Sequence, residues 1–353
     1  MKTTPQELHR EWNALTSANK TLRIRDAAAQ LGVSEAELLS TVCGESVIRL
    51  RPEWNAILPR VKELGYVMAL TRNDDCVHER KGIYEDIRTG DITALVLGED
   101  IDLRLFPRTW NYIYAVTESS AHGDRKSLQI FDAHGSAVHK VYLTGQSNFE
   151  AYATLVLDFI SDNQNKGETD VTAVPERKAD NPDDSIDVEK FRAAWSALED
   201  THDFFPMLKR FNTGRLQALR LAGNEWAYSV PNSAAQQILT AASESQTPIM
   251  VFVANRGAIQ IHTGAVTKLM ETGRWFNVLD EKFNLHLRQT AITSSWIVKK
   301  PTTEGIVTSL EVFDKNGEMI VQFFGKRKPG IPELNEWRAI VEQVSHSEEE
   351  AYA

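Results

Sequence analysis

The sequence predicts an α+β fold made twice in tandem, each copy being helices, then a long antiparallel sheet, then a closing helix. Three observations predict it. The texture changes from helical spacing to short β-branched and aromatic runs after residue 64. A polar stretch divides the chain near its middle. One constant offset then relates the two sides: SLEVFDKNG at 309–317 repeats SLQIFDAHG at 127–135, FNLHL at 283–287 lies over IDLRL at 101–105, and Gly264 lies over Gly82, each displaced by 182 residues. Three well-separated matches at one offset mark a duplication, and a unit of half the chain is too long for a solenoid repeat. The expected boundaries are a first copy over 1–161, a linker over 162–186 and a second copy over 187–353.

In chain order, residues 5–45 read as helical, with Leu8, Trp12 and Leu15 at helix spacing. Gly32 should break one helix, and Ser34 with Glu37 three residues on should cap the next. AAAQLGVSEAEL also resembles the start of a helix-turn-helix. Its second helix, however, carries Glu35 and Glu37 and no cation to read a base, so a packed helical pair is preferred to a DNA-binding regulator. YVMALTR, ITALVLG, IDLRLFP, WNYIYAVTE, SLQIFDAHG and AVHKVYLTG read as a meander of strands punctuated by Gly, Asn and Asp, with a hairpin at His134-Gly135. NFEAYATLVLDFISDN closes the first copy as a helix with Phe149, Tyr152, Leu155 and Phe159 on one face. The segment 162–186 has Pro175 and Pro182 and few large apolar residues, as a linker does. VEKFRAAWSAL then echoes HREWNAL, and the pattern runs again.

Bulk composition narrows the function. The chain has 353 residues, 42% hydrophobic and 25% charged, with 39 Lys and Arg against 49 Asp and Glu, a net charge of −10. That balance argues against coating nucleic acid or an anionic membrane. The two cysteines, Cys43 and Cys76, form no CxxC and no zinc-spaced cluster, which fits a reducing cytoplasm better than a disulfide framework. The N-terminal residues lack the apolar core of a signal peptide, and no apolar run approaches a membrane span, so no membrane insertion is expected.

The stretch LEDTHDFFPMLKRFNTGRLQ, 198–217, concentrates the chemistry. It sets His202 beside Phe204 and Phe205, with Lys209, Arg210 and Arg215 close behind. An imidazole beside apolar rings and guanidinium groups suits a flat, greasy, doubly acidic ligand carrying a metal, and haem has those properties. The alternative is a histidine at a helix end beside core phenylalanines. The duplication also breaks here: the first copy has no histidine where His202 would fall, and Arg104 has become His286, as expected of one site shared by unlike copies or of drift after duplication.

Taken together, EDTHDFFPMLKRFN, DLRLFPRTW, NRGAIQIHTG, KKPTTEGIVTSLEVFDKNG and QFFGKR resemble the HemS/ChuS/HmuS family of cytoplasmic haemin-trafficking and haemin-degrading proteins of Gram-negative bacteria. The resemblance covers nearly the whole chain. It implies helices on one side of each sheet and a haem cleft between the halves. It places the axial, metal-binding histidine at His202 and a catalytic arginine at Arg104. It places further haem contacts at Arg215, Gln217, Lys300 and Arg327, and an additional N-terminal histidine at His78. Phe106, Phe204, Phe205 and Trp275 are candidates for apolar walls. Where several members have a tyrosine near the propionates this chain has Phe324, which shifts that work to Lys326 or Arg327.

The chemistry so implied is oxygen-dependent opening of the porphyrin. An imidazole must be neutral to ligate iron, its second nitrogen needs a partner such as Asp203 or a backbone carbonyl, and a cation at Arg104 would stabilise charge developing on bound dioxygen. No Gly-rich flavin or nicotinamide fingerprint is present, so electrons are expected from a separate reductase or small reductant. The competing expectation is a carrier that takes haem from an inner-membrane importer to a separate haem oxygenase.

Overall fold

The computed structural model describes residues 4–120, 123–168, 170–176, 179–327 and 330–346. They form two compact units. Unit 1 comprises Met1–Arg72, His78–Pro175 and Ala254–Gln260; unit 2 comprises Asn73–Val77, Glu176–Val253 and Ile261–Ala353. Among the described residues are two antiparallel sheets of nine strands each.

The chain runs α1 (Pro5–Ala18), α2 (Ile24–Leu31), α3 (Glu35–Ser40), β1 (Val47–Leu50), α4 (Trp54–Arg60), β2 (Gly65–Arg72), β3 (Cys76–Gly82), β4 (Asp86–Arg88), β5 (Ala94–Leu97), β6 (Asp102–Leu105), β7 (Tyr112–Ser120), β8 (Gly123–Phe131), β9 (Ala137–Ser147) and α5 (Phe149–Phe159). After the linker come α6 (Val188–Ser196), α7 (Phe204–Phe211), α8 (Arg215–Ala222), β10 (Ala227–Val230), α9 (Ala234–Ser245), β11 (Ile249–Ala254), β12 (Ala258–Gly264), β13 (Leu269–Thr272), β14 (Trp275–Leu279), β15 (Phe283–Arg288), β16 (Ser294–Thr302), β17 (Gly305–Phe313), β18 (Met319–Gly325) and α10 (Asn335–His346). The duplication is visible in the bounds: β12, β16 and β17 begin and end 182 residues after β3, β7 and β8. It is visible in the topology too. Unit 1 orders β1-β7-β8-β9-β2, and unit 2 orders β10-β16-β17-β18-β11.

Local rules explain the ends of these elements. Gly32, at φ 68°, takes the left-handed conformation that stops α2. The Ser34 hydroxyl then accepts from Glu37 N–H while the Glu37 carboxylate accepts from Ser34 N–H, the capping box expected. α3 is buried at Glu35, Ala36, Leu38, Leu39 and Ser40, which leaves little of it to enter a DNA groove. The β8–β9 hairpin turns at Gly135, φ 70°. On α5, Tyr152, Leu155 and Phe159 are buried as expected, but Phe149 is 45% exposed. It sits in the first turn beyond the Asn148 cap, ahead of the face that meets the sheet.

The core of unit 1 gathers Tyr84, Leu103, Ile113, Leu128 and Leu155; that of unit 2 gathers Ile238, Val251, Leu310, Phe323 and Trp337. A separate cluster, Phe191, Trp195, Phe204, Leu208 and Leu219, seats α6, α7 and α8 on Val298 and Phe313 of β16 and β17. The linker is tied down at both ends. Arg49 donates to the carbonyls of Asn163, Asn165 and Gly167 and pairs with Glu168 at 2.8 Å. Gln217 donates to Asn181 O and to Asp183.

Candidate functional site

The site is built by the short turn and helix α7 that follow α6, by the first residue of α8, and by the strands beneath them. Asp200 starts the turn: its carboxylate accepts from His202 N–H at 2.7 Å. The same oxygen lies 2.6 Å from His202 Nδ1. The backbone hydrogen bond from His202, with the imidazole contact and Arg327 adding to it, holds the Asp200 carboxyl below the usual carboxylate range, so Nδ1 carries the proton and donates. That fixes the tautomer and leaves Nε2 with its lone pair pointing away. The His202 side chain is 93% exposed, so Nε2 is open to a ligand. The expected partner for the second nitrogen is Asp203 or a backbone carbonyl; Asp200 fills the place instead, because the turn folds it back onto the ring.

Two residues on, Phe204 is buried in the cluster under α7, its ring edge-on to Trp195 at 4.8 Å. Over the same ring lie two cations, Arg215 at 5.1 Å and Lys300 at 4.4 Å. Phe205 faces out, 59% exposed, with Lys209 Nζ 4.7 Å over its ring. The successive phenylalanines therefore divide the work, one filling the core and one left exposed at the start of α7.

Arg215 and Lys300 converge on a residue the sequence reading missed. Glu311, fully buried on β17, accepts from Arg215 Nε at 2.7 Å and Nη2 at 2.6 Å, from Lys300 Nζ at 2.9 Å, from Gln322 Nε2 at 3.0 Å and from Ser309 Oγ at 3.3 Å. Burial alone would raise its carboxyl, but Arg215 and Lys300 outweigh that and hold it far below its ordinary value. Lys300 is pulled down to about 8, chiefly by burial, which Glu311 opposes and Arg215 assists. Neither cation is a solvated surface group: Lys300 is 3% exposed, and Arg215 is partly covered. Glu311 lies within SLEVFDKNG, a segment that carries the repeat and the resemblance without assigning its carboxylate a role; alternation along β17 puts Ser309 and Glu311 on one face.

Other expected residues are placed as follows. Arg327, partly buried just past β18, acts on Asp200. Phe324 on β18 is partly buried and edge-on to Phe252 at 5.1 Å. Gln217 is fully buried, its amide engaged by the linker. Trp275, on β14, is half-buried with Arg274 5.9 Å over its ring. In unit 1, Arg104 on β6 is half-buried and ion-paired with Asp102, Phe106 donates its N–H to Gly257 O at 2.9 Å, and His78 on β3 is wholly buried. Unit 2 thus carries two linked groups, Arg215 with Lys300 on Glu311 and Arg327 with His202 on Asp200, joined through Phe204 two residues after the imidazole.

Comparison with known proteins adds the following. The model of the haemin-degrading HemS.ChuX domain matches residues 32–159 and 212–344. The haemin transport protein HmuS of Yersinia pestis is 41% identical over 316 residues, covering 89% of this chain and 90% of its own. The crystal structure of holo-PhuS, a haem-binding protein from Pseudomonas aeruginosa, superposes with a TM-score of 0.92 at 48% identity, covering 97% of this chain and 99% of that one. The haem-degrading enzyme ChuS of Escherichia coli O157:H7 superposes with a TM-score of 0.90 at 33% identity over the same shares.

Proposed function

The chain belongs to the haemin-degrading HemS.ChuX domain family, and from that premise we propose that it binds haem, iron protoporphyrin IX, with the iron at His202. The observation that carries the proposal is His202: an exposed imidazole at the start of α7, its Nδ1 tied to Asp200 and its Nε2 open. A neutral nitrogen oriented by a carboxylate is the donor that iron takes. The other groups fit the rest of the ligand. Phe205 offers an exposed apolar face at the start of α7, and Arg215, Lys300 and Arg327 are the cations for two propionates, each charged contact worth about 1.5–3 kcal/mol.

We read the bound haem as substrate. The ligand supplies a redox-active iron and its own oxidisable ring; dioxygen and outside electrons complete the reaction. The chain holds the iron at His202 and the carboxylates at Arg215 and its neighbours. Arg104 is assigned the stabilisation of charge on oxygen by the family resemblance, and a separate reductase or a small reductant is the electron source this reading requires. The second reading is a carrier passing haem from an importer to a separate oxygenase, favoured by the transport name of the Yersinia relative.

An absorption titration with haemin, followed by reductant under air in the same cuvette, tests both. Loss of the Soret band with release of iron is expected. An unchanged band under those conditions leaves the carrier reading and removes the enzyme. His202→Ala should weaken haemin binding or move the Soret maximum and spin state, and a variant like wild type in all three removes His202 as the ligand.

A further inference from the structure

Within unit 2, Glu311 stands among the cations proposed to bind carboxylates, and it is itself an anion. A buried carboxylate there would oppose a doubly acidic ligand unless it had another task. The geometry supplies one. Glu311 takes Arg215 through Nε and Nη2 at 2.7 and 2.6 Å, a side-on fork that fixes the plane of the guanidinium. No described hydrogen bond involves Arg215 Nη1, and the side chain retains 25% exposure, so the guanidinium is left partly open to solvent. Lys300 Nζ donates at 2.9 Å to Oε1, the oxygen that also takes Arg215 Nη2, and lies above the Phe204 ring. Gln322 and Ser309 hold the carboxylate in turn.

The other copy of the fold makes the arrangement informative. The position equivalent to Glu311, 182 residues earlier, is Gln129, and Lys140 opposes it in register where Gln322 opposes Glu311. There the first residue of the helix is an acid: Glu35 of α3 pairs with Lys140 and Arg72. Unit 1 thus sends a carboxylate from its helix onto strand cations, and unit 2 sends a guanidinium from its helix onto a strand carboxylate. The same scaffold carries reversed polarity, and only with Glu311 on the strand does an arginine stand at the helix start with an edge to spare.

We infer that Glu311 is a positioning residue for carboxylate recognition: it anchors the inner edge of Arg215 and the ammonium of Lys300 so that the outer guanidinium edge is presented to a ligand propionate. The inference rests on the haem reading above. Fixing the fork in advance spares the ligand the ordering of a long side chain.

The experiment compares affinities of the full chain for haemin and for haemin dimethyl ester, whose propionates are uncharged. Wild type should prefer haemin by about tenfold or more, the equivalent of one charged contact. Glu311→Gln and Glu311→Asp should each reduce that preference to about threefold or less, with ester affinity and Soret position unchanged, since iron ligation at His202 is separate. Arg215→Lys, which keeps the charge but cannot make the fork, should likewise reduce the preference to about threefold or less and serves if the Glu311 variants do not fold. Preference retained in the folded variants overturns the positioning role. Equal binding of haemin and ester by wild type instead overturns the assignment of the carboxylates to Arg215 and Lys300, and loss of both ligands in equal measure marks Glu311 as purely structural.

Discussion

Glu35→Ala is the sharpest test of how the duplicated scaffold is held. Glu35 is 6% exposed at the start of α3 and accepts charged hydrogen bonds from Lys140, itself 5% exposed, and from Arg72. Burial pushes its carboxyl up; Lys140 and then Arg72 more than reverse this and bring it to about 2, from an ordinary 4.5. A depression of that size corresponds to about 3 kcal/mol of folded-state stabilisation at neutral pH. Because the folded value is the lower one, the contribution is complete above about pH 4.5 and fades as pH falls towards 2. Removing the carboxylate also leaves Lys140 buried without it, and breaking such a pair costs about 3–5 kcal/mol. Urea unfolding of Glu35→Ala at pH 7 should therefore show a loss of about 3 kcal/mol, shrinking by pH 3. A loss under about 1 kcal/mol at pH 7, or one that does not change between the two pH values, refutes this account. Replacing the pair together, Glu35→Leu with Lys140→Met, should recover part of the loss, because the apolar pair needs no counter-charge and only Arg72, which keeps some solvent contact, loses its carboxylate.

Other predictions concern the site and its support. Asp200→Asn should weaken haemin binding by about ten- to a hundredfold and alter the iron spin state without changing the melting temperature by more than a few degrees, since it frees the imidazole and little else; unaltered spectra and affinity would show that the tautomer is set by other means. Haemin affinity should fall as pH rises through about 8, where Lys300 gives up its proton, and Lys300→Arg should move that fall upward; titrations at pH 7 and 9 read it directly. Gly257→Ala should destabilise unit 1 by about 1–3 kcal/mol, because an added Cβ would meet Val138 Cβ at 2.7 Å next to the carbonyl that Phe106 N–H uses. A thermal melt unchanged from wild type would show that the strands part at little cost.

Much of this molecule was legible before folding was considered. The 182-residue offset announced the duplication, and β12, β16 and β17 reproduce it residue for residue. The Ser34–Glu37 capping box, the Gly32 stop and the Gly135 hairpin followed from local backbone chemistry, which acts over three or four residues and is written within them. His202 beside Phe204 and Phe205 was visible for the same reason: one turn of chain carries all three.

What tertiary structure decided is every partner brought from elsewhere. Arg215 and Lys300 were singled out as cations, but Glu311 beneath them lies 96 residues from Arg215 and meets it only because β17 runs under α8. Gln217, adjacent to the site in sequence, turns inward to the linker because residue positions two apart on a helix face different ways. A strand's alternation tells which side a residue faces; it does not tell what the neighbouring element will lay upon it. The sequence on its own determined two copies of one α+β fold and an imidazole beside two phenylalanines in the second; the structure decided that this imidazole is exposed. Long-range packing alone decided that Glu311 joins Arg215 and Lys300, because a buried carboxylate is tolerated only where distant cations converge.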